Sequence, residues 1–199
     1  FWNGALAGMV MLHEAPAPRL IVVDYIVVKR GVWNRGLVFD LLRDQLEKRA
    51  RSTSVTDVVF EVEHPEHAAR RSRAAARIRM FEQCGARVVE DCAYRSVDMH
   101  TVPTPPCERP HHLMCAAYGM DRERDRISGA RVREIVEFLY LTWYRNWLSR
   151  RTNAPAIARY LEELCTNVTT TIPNECFLRR MPAGRRAVGS DESQGLTSV

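Results

Sequence analysis

The stretch Leu20–Leu46, LIVVDYIVVKRGVWNRGLVFDLLRDQL, constrains the fold more than any other part of the chain. Leu20–Val28 is a continuous run rich in β-branched residues, the pattern of a central strand covered on both faces. A short basic turn with Gly31 and Gly36 follows. A helix is then predicted over Arg35–Arg49, with Leu37, Val38, Leu41, Leu42 and Leu46 on one face. A strand, turn and helix in this order aim backbone N–H groups and a helix N-terminus at one point. Such a point suits an anion, and phosphates above all.

The flanking segments supply the rest of a sheet. Ala5–Glu14 reads as a strand, and the turn Ala15–Pro18 makes it an antiparallel partner of Leu20–Val28. Val58–Glu63 is a further short strand, ended by His64 and Pro65. Glu66–Gln83 is a predicted helix with Ala74, Ile78 and Phe81 on one stripe, and Gly85 suits its C-terminus. Ala86–Val89 begins another strand. The segment 101–110, with Pro103, Pro105, Pro106 and Pro110, reads as irregular, and His112–Tyr118 as a strand.

Ala130–Leu148 has the strongest helical period, with Val132, Ile135, Val136, Leu139, Tyr140, Trp143 and Trp147 on one side. A second helix, Ala154–Leu164, is expected to be capped by Asn153. From Pro182 the residues are small and polar, as in a disordered tail. The expected fold class is mixed α/β: a central mixed β-sheet flanked by helices, with a helical C-terminal extension. The expected division is a sheet domain over 1–120, a helical region over 121–181 and a tail over 182–199.

Composition narrows the function. Apolar residues make up 46% and charged residues 27% of the 199, which predicts a soluble globular chain. No apolar run approaches the roughly 20 residues that span a bilayer, so no membrane partner is expected. Cys84, Cys92, Cys107, Cys115, Cys165 and Cys176 form no C-x-x-C pair, and scattered thiols of this kind predict a cytoplasmic protein. The net charge of +5 permits nucleic acid without demanding it. Arg70, Arg71, Arg73, Arg77 and Arg79 read as a solvated helix face. His64, His67, His100, His111 and His112 have no Cys or acid beside them at zinc-site spacing, so no metal is expected.

Two ordered blocks resemble one family. Val28-Lys29-Arg30-Gly31-Val32-Trp33-Asn34-Arg35-Gly36-Leu37-Val38, followed by Leu41-Leu42, is similar to the acyl-CoA signature of the Gcn5-related N-acetyltransferases (GNAT). The strand VVFEVE with His64-Pro65, then Arg77–Arg87 with Phe81, Gly85 and Ala86, resembles the later strand and helix of that family. The resemblance covers Ala5–Tyr118. It implies a GNAT-like fold, acetyl-CoA as co-substrate and transfer of an acetyl group to a primary amine. It also implies that a strand and helices precede the position matching Ala5, so that the N-terminal elements of the fold are missing from this sequence. The implied partners are acetyl-CoA and an amine acceptor, with a homodimer as an option.

Particular residues carry these expectations. Coenzyme A carries a pyrophosphate, which the turn Arg30, Trp33, Asn34, Arg35, Gly36, Leu37 and Val38 would bind. Gly36 leaves room for the backbone to approach the phosphates, and Arg30 and Arg35 add charge-assisted contacts. By resemblance, the backbone of Val27 and Val28 would polarise the thioester carbonyl. Asp24 interrupts the apolar strand. A carboxylate there must be paired, protonated or turned to a solvated edge. If buried, its pKa rises towards the value of a general base, so Asp24 is the catalytic candidate. The sequence also departs from the family. Trp33 stands where Arg or Gln is usual, Val38 where Gly or Ala is usual, and Phe81 where a proton-donating Tyr is frequent. Tyr94 and Tyr118 are the alternative donors. These departures leave open a second reading, a catalytically inactive acyltransferase-like binding module.

Overall fold

The computed structural model describes residues 8–29, 42–49, 55–68, 70–97, 108–117, 124–148 and 154–181. The strands are β1 (Gly8–Ala15), β2 (Leu20–Val28), β3 (Asp57–Glu63), β4 (Arg87–Val89), β5 (Arg95–Val97), β6 (Glu108–Ala117), β7 (Arg126–Ser128) and β8 (Glu175–Arg179). The helices are α1 (42–49), α2 (Arg71–Gln83), α3 (Gly129–Glu137), α4 (Arg145–Leu148) and α5 (Ala154–Thr169), with a π segment, Phe138–Tyr144, joining α3 to α4. Among the described residues the strands form one eight-stranded sheet in the order β1-β2-β3-β6-β4-β8-β7, with β5 paired to β6. β2 and β3 are parallel and the remaining pairs antiparallel. The architecture is the expected mixed α/β one.

Alternation along the strands divides the apolar residues between two layers of helix. Leu20, Val22, Val59, Leu113 and Cys115 share one core with Val132, Ile135, Leu139, Tyr140, Trp143, Leu161 and Leu164. Ile21, Val23, Val58, Phe60, Val62 and Met114 share the other with Leu42, Leu46, Ile78 and Phe81. Full burial of side chains such as Leu42 and Leu46 contributes about 1.5–3 kcal/mol each.

Several boundaries differ from expectation. α2 begins at Arg71, not Glu66, because residues 64–67 close a turn: the His67 N–H donates to the His64 carbonyl at 3.0 Å and the Glu66 N–H to His64 Nδ1 at 3.2 Å. Its C-terminus follows the glycine signal. Gly85 has φ +90°, its N–H donates to the Glu82 carbonyl at 3.0 Å, and the Ala86 N–H donates to the Phe81 carbonyl at 3.0 Å. That pair of bonds closes a Schellman cap. The segment 108–110, expected to be irregular, belongs to β6. Pro110 is accommodated opposite Arg95 of the short strand β5.

The C-terminal region is helical as expected, but it also adds β7 and β8 to the sheet. Helix α5 runs to Thr169, five residues beyond Leu164. Ser128 caps α3 by accepting from the Arg131 N–H at 3.2 Å. The π segment inserts a residue into the helical turn and shifts the phase of the residues C-terminal to it. Tyr144 and Leu148 are therefore buried, and Trp147, expected on the buried stripe, is exposed. Asn153 and the tail from Pro182 lie outside the described residues, as does Tyr118.

Candidate functional site

The site is built where two neighbouring strands part. β2 and β3 pair in parallel from Leu20–Asp57 to Val23–Phe60, and there the ladder ends. Both strands continue. β2 stays paired with β1 as far as Val28, and β3 stays paired with β6 as far as Glu63. The sheet is thus forked beyond Val23 and Phe60. The expectation that all of Leu20–Val28 is covered on both faces is corrected. Leu20–Val23 are buried, but Asp24–Val28, beyond the last β2–β3 pair, alternate between half-buried and exposed.

The fork coincides with a bulge. On β1, Leu12 opposes Val23 and Met11 opposes Tyr25, so Asp24 is the extra residue. A bulge bends its strand and raises its local twist, which turns the end of β2 away from β3. Asp24 therefore sits at the base of the fork. The first residues beyond Val23–Phe60 are Asp24 on β2 and Glu61 on β3.

These two carboxyl groups have different surroundings. Asp24 is half-buried. Burial raises its pKa above the usual carboxylate value, and His13 on β1 opposes that rise. Glu61 is more enclosed. Burial is again the main cause of its raised pKa, the hydroxyls of Tyr94 and Tyr144 oppose it by hydrogen bonding, and the Asp24 charge adds to it. Tyr94 and Tyr144 both donate to Glu61 Oε1, Tyr144 at 2.7 Å. Burial raises the pKa of both phenols well above the usual value, so they remain donors.

The tyrosines form a connected layer. The Tyr144 hydroxyl also lies 2.9 Å from Ser96 Oγ. The Tyr140 hydroxyl donates to the Arg95 carbonyl at 2.6 Å and accepts from the Arg95 N–H at 3.2 Å. The rings of Tyr94 and Tyr140 stack at 5.4 Å, and those of Tyr140 and Tyr144 at 6.1 Å. His13 packs on Trp143 at 4.6 Å. The C-terminal helical region therefore contributes directly to the walls around Glu61.

Of the residues singled out from the sequence, Asp24, Val27 and Val28 are described and lie on the fork. Arg30, Trp33, Asn34, Arg35, Gly36, Leu37 and Val38 lie outside the described residues. Phe81 is buried on the opposite face of the sheet, its ring 4.4 Å from Phe60. Tyr94, expected only as an alternative donor, is buried with its hydroxyl on Glu61. Sequence reasoning overlooked Glu61, Tyr144 and His13. The signal for Glu61 was present: like Asp24, it places a charge inside an apolar strand.

A cavity of about 660 Å³ adjoins this layer, lined by Tyr94, Arg95, Glu90, His64, His111 and His112 among others. His112 Nε2 is buried without a hydrogen-bond partner. Burial, with help from His64 and His111, pushes its pKa down to about 4. Among the described residues no group of three or more His, Cys, Asp or Glu side chains could hold a metal ion. Nor is any helix among them long and apolar enough to cross a membrane. Arg70, Arg71, Arg73, Arg77 and Arg79 are all exposed. Cys84, Cys92, Cys115, Cys165 and Cys176 are in no disulfide among the described residues, and Cys107 lies outside them.

No protein-family model and no curated protein matches the chain. Solved structures with which it shares similarity are acetyltransferases. One is the Bacillus subtilis acetyltransferase in complex with CoA, with 15% identity and TM-score 0.42 over 60% of this chain and 74% of that one. Another is the ribosomal-protein-S18-alanine N-acetyltransferase of Escherichia coli, with 22% identity and TM-score 0.39 over 62% and 69%. A third is a GNAT-family acetyltransferase of Streptococcus pneumoniae, with 19% identity and TM-score 0.41 over 60% and 64%.

Proposed function

We propose that this chain is a GNAT-type N-acyltransferase that moves an acetyl group from acetyl-CoA to a primary amine. The observation that carries this reading is the fork between β2 and β3 with Asp24 at its base. Strands that part turn backbone N–H and C=O groups towards the gap. An extended ligand with amide groups, such as the pantetheine arm of coenzyme A, can take the place of the missing strand partner. The backbone of Val27 and Val28 would lie along that arm, and an N–H aimed at the thioester oxygen would stabilise the charge that develops there. The turn Arg30–Val38, with Gly36 and the charges of Arg30 and Arg35, would hold the pyrophosphate.

Asp24 serves in this reading as the base, or as the group that positions the amine. A half-buried carboxylate with a raised pKa is suited to proton transfer near neutral pH. Holding amine and thioester together in the fork would supply much of the rate.

A catalytically inactive, CoA-binding module is the second reading. It is favoured by Phe81, which has no proton to give and is packed away in the core. Calorimetric titration with coenzyme A is the first test, and no heat at millimolar ligand removes both readings. If coenzyme A binds, thiol release from acetyl-CoA is measured with a panel of primary amines. Asp24→Asn is expected to lower the rate by about 10²–10⁴. An undiminished rate with an unchanged pH profile removes Asp24 as the base.

A further inference from the structure

We propose that the cavity between β6 and the β4–β5 connection is a binding site for a small organic anion, a carboxylate or phosphate ester with an apolar body. The site is separate from the fork and does not depend on acyl transfer. In the sheet order β2-β3-β6-β4 the fork lies on one side of β3, and the cavity lies on the other side, along the far edge of β6.

The fold builds this space. Val88 of β4 pairs with Met114 of β6, and pairing with β6 resumes at Arg95 of β5, opposite Pro110. Between these points the chain swings outward. Asp91 takes φ +62°, a left-handed turn. The Glu90 N–H donates to the Phe177 carbonyl at 2.9 Å, and the Glu90 carboxylate binds Arg179 of β8 at 2.8 Å. The connection is thereby held against β8, and a space of about 660 Å³ opens beside His111 and His112. Ligand pockets commonly measure about 300–1,000 Å³.

The walls are of two kinds. Val88, Val89 and Met181 are apolar and suit a hydrocarbon body. His64, His111 and His112 form a cluster, with the rings of His64 and His112 4.3 Å apart. The other charged groups facing His112 are Glu66 from the turn after β3, Glu90 and Asp91 from the connection, Arg95 from β5 and Arg179 from β8.

Hydrogen bonds place the ring protons. His64 Nδ1 accepts from the Glu66 N–H at 3.2 Å, so the proton of neutral His64 is on Nε2, a donor. His111 Nδ1 lies 3.1 Å from the Arg109 carbonyl, so its proton is on Nδ1. His112 Nε2 is buried and has no partner among the described residues. Such an orphan is rare in folded proteins, and a ligand oxygen in the cavity supplies what it lacks. In the empty cavity, burial and then His64 and His111 keep His112 neutral, against the opposing pull of Glu66. An anion reverses that balance. It draws a proton from solvent onto His112, which then donates from both nitrogens, while His64 donates from Nε2.

Two measurements on the whole chain test this, with benzoate and phenyl phosphate as probes and benzyl alcohol as the neutral control. The first is NMR titration of the histidine ring resonances. The pKa of His112 is expected to rise by about one to three units in saturating benzoate. If neither anion at millimolar concentration moves the resonances of His64, His111 or His112, the site is overturned. Benzyl alcohol binding as tightly as benzoate overturns the anionic class. The second is calorimetric titration with benzoate, whose affinity is expected to rise about three- to tenfold as pH falls from about 6.5 to about 5. His112→Gln cannot take up the proton and should flatten that rise. A rise of the same size in the variant overturns the role of His112, and the wild-type NMR titration decides the same point should the variant not fold. Tighter binding of one anion than the other supports the site and tells a carboxylate from a phosphate ester. Neither measurement involves acetyl transfer, so both stand whatever the outcome with coenzyme A.

Discussion

Asp24 on β2 and Glu61 on β3 are the first residues beyond Val23–Phe60, the last pair of the parallel ladder. That is where pairing between the two strands ends. A bulge at Asp24 bends one strand away, and two tyrosines hold Glu61 on the other. The opening and its chemistry thus arise from the same interruption of the sheet.

Asp57 anchors α3 to the base of β3, and its removal is predicted to destabilise the fold. It is 1% exposed and binds both Arg124 and Arg131, the latter from Nε at 2.9 Å. Arg131 also donates to the Pro18 carbonyl at 2.8 Å, which ties the β1–β2 turn into the same network. Breaking a buried pair from one side leaves uncompensated charge and costs about 3–5 kcal/mol. Asp57→Ala should lower the unfolding free energy in urea by that amount with an unchanged slope. A loss under about 1 kcal/mol would show that solvent reaches the arginines.

Gly129 is predicted to tolerate no side chain. A Cβ placed there would lie 1.7 Å from the Pro173 carbonyl oxygen, a backbone atom, and the Gly129 N–H donates to the Asn174 carbonyl at 2.7 Å. The start of α3 and the approach to β8 are therefore pressed together. Gly129→Ala must push them apart, at a cost of about 1–3 kcal/mol. Thermal unfolding checks this, and a wild-type melting temperature in the variant would contradict the contact.

His112 makes stability depend on pH in a defined direction. Its pKa falls from the ordinary 6.5 to about 4 in the folded state. The unfolded chain then binds more protons than the folded one between those values. The contribution of His112 is fully present above pH 6.5 and is lost as pH falls towards 4. Urea unfolding at a series of pH values should show wild type losing more stability over this window than His112→Gln. Parallel curves would mean that the imidazole is solvated.

Much of the fold was legible because it rests on short-range patterns. The limits of β2 follow from its β-branched run, the end of α2 from Gly85 and the course of α3 from its apolar period. Other elements gave too little pattern. β5 and β7 are three residues each, too short for any period to register. β8 alternates cleanly over Glu175–Arg179 after Pro173 and Asn174, but a run of five residues is easily passed over. In the site, Asp24 was legible as a charge inside an apolar strand. Glu61 carried the same signal and was missed, because its meaning depends on Tyr94 and Tyr144 reaching it from elsewhere in the chain. Trp147 was placed on the buried stripe and Tyr144 was not tied to Glu61, since a regular helical period does not anticipate a π turn.

Local sequence was enough to specify which segments become the longer strands and helices, most of the residues they bury, and that Asp24 would be out of place in an apolar strand. Those properties follow from side-chain sterics and burial within a few residues. Where the β2–β3 ladder ends, and that Tyr144 reaches Glu61 from a helix 83 residues further on, were set by the assembled fold. Strand register and helix phase over such separations are set by packing of the whole sheet against its helices, a balance of free energy that no local window of residues contains.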